Sequence, residues 1–91
     1  MEKFIVRAIK NPKSNYIKKV DEDGYVYFDG TGGTDWRCWA DRIDKAKQFL
    51  KAKDAISRAK RMNRKPTFSE YAAINAEVIK VEVEIKVIEV L

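Results

Sequence analysis

Histidine is missing from this 91-residue chain, and cysteine occurs once, at Cys38. Without an imidazole, Cys38 has no ordinary base to activate it as a nucleophile. With one sulfur and no imidazole there is no zinc set of the usual kind. A lone cysteine also excludes an intrachain disulfide, which fits a reducing interior and a buried, inert thiol. Long apolar runs are missing too: nothing approaches the roughly 20 residues a membrane-spanning helix needs. The opening MEKFIVRAIK is too short and too charged for a secretory leader. A cytoplasmic protein is expected. Glycine is scarce, and three of the four glycines fall in DGTGGT, residues 29–34. Such a loop can turn amides toward phosphate. It lacks the lysine–hydroxyl ending of a P-loop and the spacing of a dinucleotide fingerprint, so it reads as a plain loop.

What is present bounds the answer further. Ninety-one residues make one domain, 1–91, and an apolar fraction of 45% suits a folded chain. The formal charge of +5 is unevenly spread. Residues 44–65, DKAKQFLKAKDAISRAKRMNRK, hold nine lysines and arginines against two aspartates, while the rest of the chain is slightly acidic. Asymmetry of this kind speaks to partners and solubility, and not to fold.

Residues 3–9, KFIVRAI, are β-branched and apolar on both faces, the pattern of an interior strand. NPKSN (11–15) is turn chemistry. NYIKKV and YVYF, joined by DEDG ending in Gly24, predict a hairpin. Clustered Asp21, Glu22 and Asp23 serve that turn and lack the ligand spacing of a calcium loop. Tyr16, Tyr25 and Tyr27 can present an aromatic surface, although cross-strand packing is the simpler use. Near the end, Ile79, Val81, Val83, Ile85 and Val87 alternate with Lys80, Glu82, Glu84 and Lys86, a strand with one dry face and one wet one. The alternation slips at Ile88, which suggests a bulge or the end of pairing near Val87.

Two apolar stripes divide the middle of the chain. Ile43, Ala46, Phe49 and Leu50 share one helical face, whereas Ala52, Ala55, Ile56, Ala59 and Met62 share another, rotated by roughly 150° at 100° per residue. One straight helix cannot bury both. A break near Lys51–Lys53 is therefore predicted, with a short helix at 41–50 capped by Asp41 or Asp44 and a second at 53–63. Thr67 and Glu70 have capping-box spacing for a further helical turn.

The expected architecture is α+β: an antiparallel sheet of about four strands in the order β-β-β-α-α-β, with two consecutive helices on one face. The last strand is expected beside the first. Its dry face would bury Ile79 to Val87 against Phe49, Ile56 and Ala59. As an exposed edge, residues 78–90 could also pair with a second copy, so a homodimer is open.

The motif Asp44-x-Ala46-Lys47-x-Phe49, followed by Ala55 and Ala59 on a helix and then an alternating strand, resembles a loose group of small α+β proteins of phages and prophages in low-GC Gram-positive bacteria. The likeness covers about residues 40–85. This chain departs from the pattern in the Trp36/Trp39 pair and in the basic run through Lys65. The resemblance implies a mobile-element setting and supplies no active site to carry over.

Two features remain as candidate sites. Lys53, Ser57, Lys60, Arg61 and Arg64, with Lys65 following, gather opposite the apolar stripe of the second helix. A stripe of this kind can follow a nucleic-acid backbone or dock on an acidic protein surface. The plainer reading is a solvated face, but only Asp54 is acidic among residues 45–65, a poor balance for solubility alone. The second feature is DWRCW. Trp36 beside Arg37 can stack on a base or anchor an interface, whereas at least one tryptophan is expected in the core of so small a chain. These residues point to a non-enzymatic accessory protein without metal or cofactor. It would engage an acidic host protein or protein–nucleic-acid complex, and the alternatives are direct nucleic-acid binding and sequestration of an anionic nucleotide.

Overall fold

The computed structural model describes residues 1–31, 36–64, 72–84 and 87–91, and for Trp36 the backbone only. It is an α+β fold. Four antiparallel strands, β1 (Glu2–Lys10), β2 (Tyr25–Phe28), β3 (Trp39–Ala40) and β4 (Ala73–Glu82), lie in the order β3-β2-β1-β4. The doubly apolar first strand is interior, as its pattern requires, with Ile5 and Val6 buried on opposite faces. β1 runs antiparallel to the last strand along nearly its whole length, from Glu2 opposite Glu82 to Lys10 opposite Ala73.

The strand count hides a correction. NYIKKV forms no ladder; β2 pairs directly with β1, Arg7 opposite Tyr27. Only Ile17 of that segment turns inward, joining Ala8, Val26, Ala72 and Ala73. The third strand is Trp39–Ala40, set against Tyr27 and Phe28. The acidic turn forms where expected. Asp21 Oδ1 accepts from the backbone N–H groups of Asp23 (2.9 Å) and Tyr25 (2.8 Å), and Gly24 takes φ = 89°, a conformation open to glycine. Asn11, also buried, orders its own turn by accepting from Lys13 N at 3.0 Å.

The described residues contain one α-helix, α1 (Ala52–Met62), where two consecutive helices were expected. Residues 41–50 instead form a 3-10 turn at Ile43–Lys45 and then an extended run. The backbone explains why. β1 continues past the reach of β2, so the N–H and C=O of Phe4 need partners on that side. Phe49 supplies both, at 3.0 and 2.7 Å, and Lys47 N donates to Phe28 O at 2.8 Å. The first apolar stripe is thereby split. Ala46 buries with Ile5 and Tyr27, Phe49 stacks on Phe28 from the other face, and Ile43 and Leu50 stay exposed. Neither proposed aspartate caps a helix here; Asp44 instead holds Arg42 through two hydrogen bonds, at 3.0 and 2.6 Å.

Helix α1 lies over β1 and β4. Small residues let it sit close: Ala55 and Ala59, with Met62, pack on Val6, Phe28 and Cys38, joined by Ala76 and Val78. Burial of this kind, at about 25 cal/mol per Å², is the main stabilising term of a small domain. Ile56, expected in this core, is exposed. The dry face of β4 is also on the other side. Because Val78 stands opposite Val6 and Ile79 opposite Ile5, the helix covers Val78, and Ile79 and Val81 pack with Ile5, Tyr27 and Ala46 behind the sheet. Strand β4 starts earlier than its alternation suggested and ends at Glu82, leaving Val87, Ile88 and Val90 exposed. The irregularity lies near its start, where the register shifts between Arg7 and Ile9 and Asn75 has φ = 57°. Ile85, the Thr67/Glu70 pair and residues 32–35 of the glycine loop lie outside the described residues.

Candidate anion-binding cleft on the helix flank

A cavity of about 530 Å³ opens along one side of α1, lined by Phe49, Asp54, Ser57, Arg58, Arg61 and Arg64. Helix periodicity builds it. Asp54, Arg58 and Arg61 form one row at i, i+4, i+7, and Ser57 and Arg61 lie on the next, with Arg64 just past the end of the helix. The extended run at 47–49 supplies the opposite wall by placing Phe49 against Phe28, ring centroids 6.3 Å apart. Arg58 is the innermost cation. Its guanidinium lies over the Phe28 ring, 4.8 Å from the centroid, and its Nη1 is buried without a hydrogen-bond partner. Lys47 Nζ lies 5.4 Å from the centroid of Phe49, so the aromatic pair carries a cation at each end.

Among the described residues no carboxylate pairs with Arg58, Arg61 or Arg64; the ion pairs present are Arg7–Glu77, Arg42–Asp44, Lys80–Glu2 and the Met1 amino group with Glu82. Among the described residues Asp54 is the one acidic residue on the cleft wall. Three guanidinium groups and a hydroxyl facing one space can donate to several oxygens of one anion at once, which is the chemistry arginine serves at phosphates and carboxylates.

The structure gathers Ser57, Arg61 and Arg64 of the predicted stripe here. Lys53 and Lys60 are exposed on α1 but do not line the cleft, and Lys65 lies outside the described residues. Arg37 is exposed on the 3-10 turn at Trp36–Cys38 and is not part of the cleft wall. The side chain of Trp36 is outside the described residues, whereas Trp39 is half-buried against the helix-side core. Arg58 and Phe49 were missed. Arg58 stands at the border between the basic stripe and the buried alanines, where a long cationic side chain covers apolar surface with its stem. That border position was a readable signal. Phe49 was legible only as core.

Elsewhere, Cys38 is fully buried, and the tyrosines pack as side chains of the sheet: Tyr27 in the rear core, Tyr25 beneath Arg7 at 4.0 Å. Among the described residues no helix is long and apolar enough to cross a membrane. Comparison with protein-family models, with curated proteins and with solved structures gives no match to this chain.

Proposed function

We propose that the protein is a non-enzymatic binding module that docks an anionic surface through the basic flank of α1, as an accessory protein of a phage or prophage acting in the host cytoplasm. The partner is an acidic host protein or a protein–nucleic-acid complex of host defence or nucleic-acid handling. One observation carries this reading: Arg58, Arg61 and Arg64 converge on one cleft with no carboxylate paired to them among the described residues, and Arg58 holds a buried donor without a partner. A helix face meant only for solubility has no need to bury an arginine. Lys53 and Lys60, exposed on the same helix, add long-range attraction that speeds encounter.

Direct nucleic-acid binding is the second reading, favoured by Phe49, an aromatic ring in the same cleft as three arginines. A small anionic nucleotide is the third, since the cavity falls in the size range of ligand pockets.

Affinity capture from host lysate, with and without nuclease, tests the proposal. Capture of a defined protein that survives nuclease and is lost with Lys60→Glu/Arg61→Glu/Arg64→Glu is the expected result, with the fold unchanged by circular dichroism. Capture untouched by that triple reversal ends the proposal. Capture lost with nuclease, together with binding to mixed DNA or RNA that falls steeply with salt, transfers the function to the second reading. A nucleotide found by mass spectrometry in the purified protein transfers it to the third.

A further inference from the structure

We propose that two copies of this chain join edge to edge through β4, in an antiparallel register centred on Val81, and so place both arginine clefts on one face of a continuous eight-stranded sheet.

The bonding of β1 fixes which backbone groups of β4 are already paired. Phe4 exchanges its N–H and C=O with Phe49, on the side of β1 away from β4. The Phe4–Lys80 pair is therefore a non-hydrogen-bonded one, and the N–H and C=O of Lys80 point away from β1. By the two-residue period, those of Val78 and Glu82 do the same. Val83 N, one residue on, donates inward to Met1 O at 2.8 Å, which agrees with that phase. β4 is the end strand of the sheet, so among the described residues this row has no strand beside it.

One end of the row is closed. Ala76 is the next outward-facing residue, and the side chain of Asn63 takes both its groups: Nδ2 donates to Ala76 O and Oδ1 accepts from Ala76 N, each at 2.8 Å. The amide acts as a one-residue strand. It stops any neighbour from pairing beyond Val78 and leaves Val78, Lys80 and Glu82 as the open edge among the described residues.

Charge then chooses the occupant and the register. Lysine and glutamate on an edge ordinarily deter pairing. Here they stand two apart, which makes the edge complementary to itself. A two-fold axis at Val81 sets Lys80 of each copy opposite Glu82 of the other, two opposite-charge pairs. An axis at Lys80 sets lysine against lysine, and one at Glu82 sets glutamate against glutamate, which offsets the Lys80–Glu84 pairs it also brings. An axis at Ile79 would need Ala76, which Asn63 occupies. With the axis at Val81, the rear face brings Val81 against its counterpart and Ile79 against Val83, covering side chains that are half-buried in one copy. The charged ladder already present within the chain, Glu2 with Lys80 at 3.2 Å, continues across the junction.

A two-fold axis perpendicular to a sheet keeps its two faces distinct. Both α1 helices, and both clefts, then look the same way. Pairing itself does not depend on what the clefts bind; only the gain from two linked sites rests on the docking proposal.

The test is sedimentation equilibrium on the full chain over a concentration series, with thermal unfolding to confirm each variant's fold. The parent chain is expected to dimerise. Lys80→Glu and Glu82→Lys, alone, each replace two attractive pairs by two repulsive ones, and dimer affinity is expected to fall about tenfold or more. Mixed together, these two variants restore attraction at both pairs, so a heterodimer is expected where neither dimerises alone. A parent chain that stays monomeric overturns the proposal, and so does a dimer indifferent to Lys80→Glu or a mixture that fails to associate. None of these outcomes touches the capture experiment, which reads Lys60, Arg61 and Arg64.

Discussion

Arg7 and Arg58 are both half-buried cations laid on an aromatic ring, 4.0 Å from the centroid of Tyr25 and 4.8 Å from that of Phe28. Arg7, behind the sheet, also donates from Nε to Glu77 at 2.7 Å, and that bond raises its pKa further. Arg58, on the helix side, has a buried Nη1 that donates to nothing. The same residue type is thus completed internally in one region and left incomplete in the other. An unsatisfied buried donor costs about 1–3 kcal/mol, so folding alone favours an apolar side chain at position 58. The docking proposal rests on this difference: on the helix flank, the missing acceptor would be supplied by the partner.

The support beneath Arg58 gives the largest way to break this contrast. Phe28 is buried, stacked on Phe49 and covered by the guanidinium. Phe28→Ala is expected to cost about 3–5 kcal/mol in urea unfolding, because it removes a core ring and leaves a void. Phe28→Leu keeps most of the volume and is expected to cost less than half as much while still weakening capture by the cleft.

A matched pair of substitutions sharpens it. Arg7→Met removes a satisfied cation and is expected to lower stability by about 1 kcal/mol, with capture unchanged. Arg58→Met removes an unsatisfied one and is expected to leave stability unchanged or raise it by about 1 kcal/mol, while capture falls. Equal destabilisation by both would show that Arg58 is structural and would remove the contrast.

Periodicity made the sheet's outline legible and misled on its detail for one reason. The doubly apolar β1, the acidic turn and helix α1 each depend on residues close in sequence, and each was readable. The fate of residues 41–50 depended on the open backbone of Phe4, some 40 positions away, and no local pattern reports that. The side on which β4 buries its valines follows from which residue of β1 it faces, again a distant choice. In the cleft, Ser57, Arg61 and Arg64 were readable from helical spacing, and the wall formed by Phe49 was not, because it exists only once Phe4 has captured the chain.

The smallest effect concerns the sheet's habit of answering polar groups from within. The buried Tyr27 hydroxyl donates to Asp21 Oδ2, the carboxylate that also organises the acidic turn. Burial first, and then the bond to Asp21, push the Tyr27 hydroxyl from 10.0 up to about 12. A raised value means that the unfolded chain gives up its proton before the folded one does. This contribution to stability is therefore complete below pH 10 and is lost as pH climbs toward about 12. Asp21 moves the other way: the Tyr27 hydroxyl, more than any other bond, holds its carboxyl below the ordinary 3.8. Its contribution is present above that value and is lost as pH falls further. Tyr27→Phe removes the first dependence and weakens the second, which the backbone donors of Tyr25, Asp23 and Gly24 still sustain. The variant is expected to be about 1 kcal/mol less stable at neutral pH, and the gap is expected to narrow at both extremes. A gap that stays constant from acid to alkali in urea titrations would mean that the hydroxyl contributes by packing alone. Tyr27 would then no longer stand with Arg7 as a polar group completed from inside the fold.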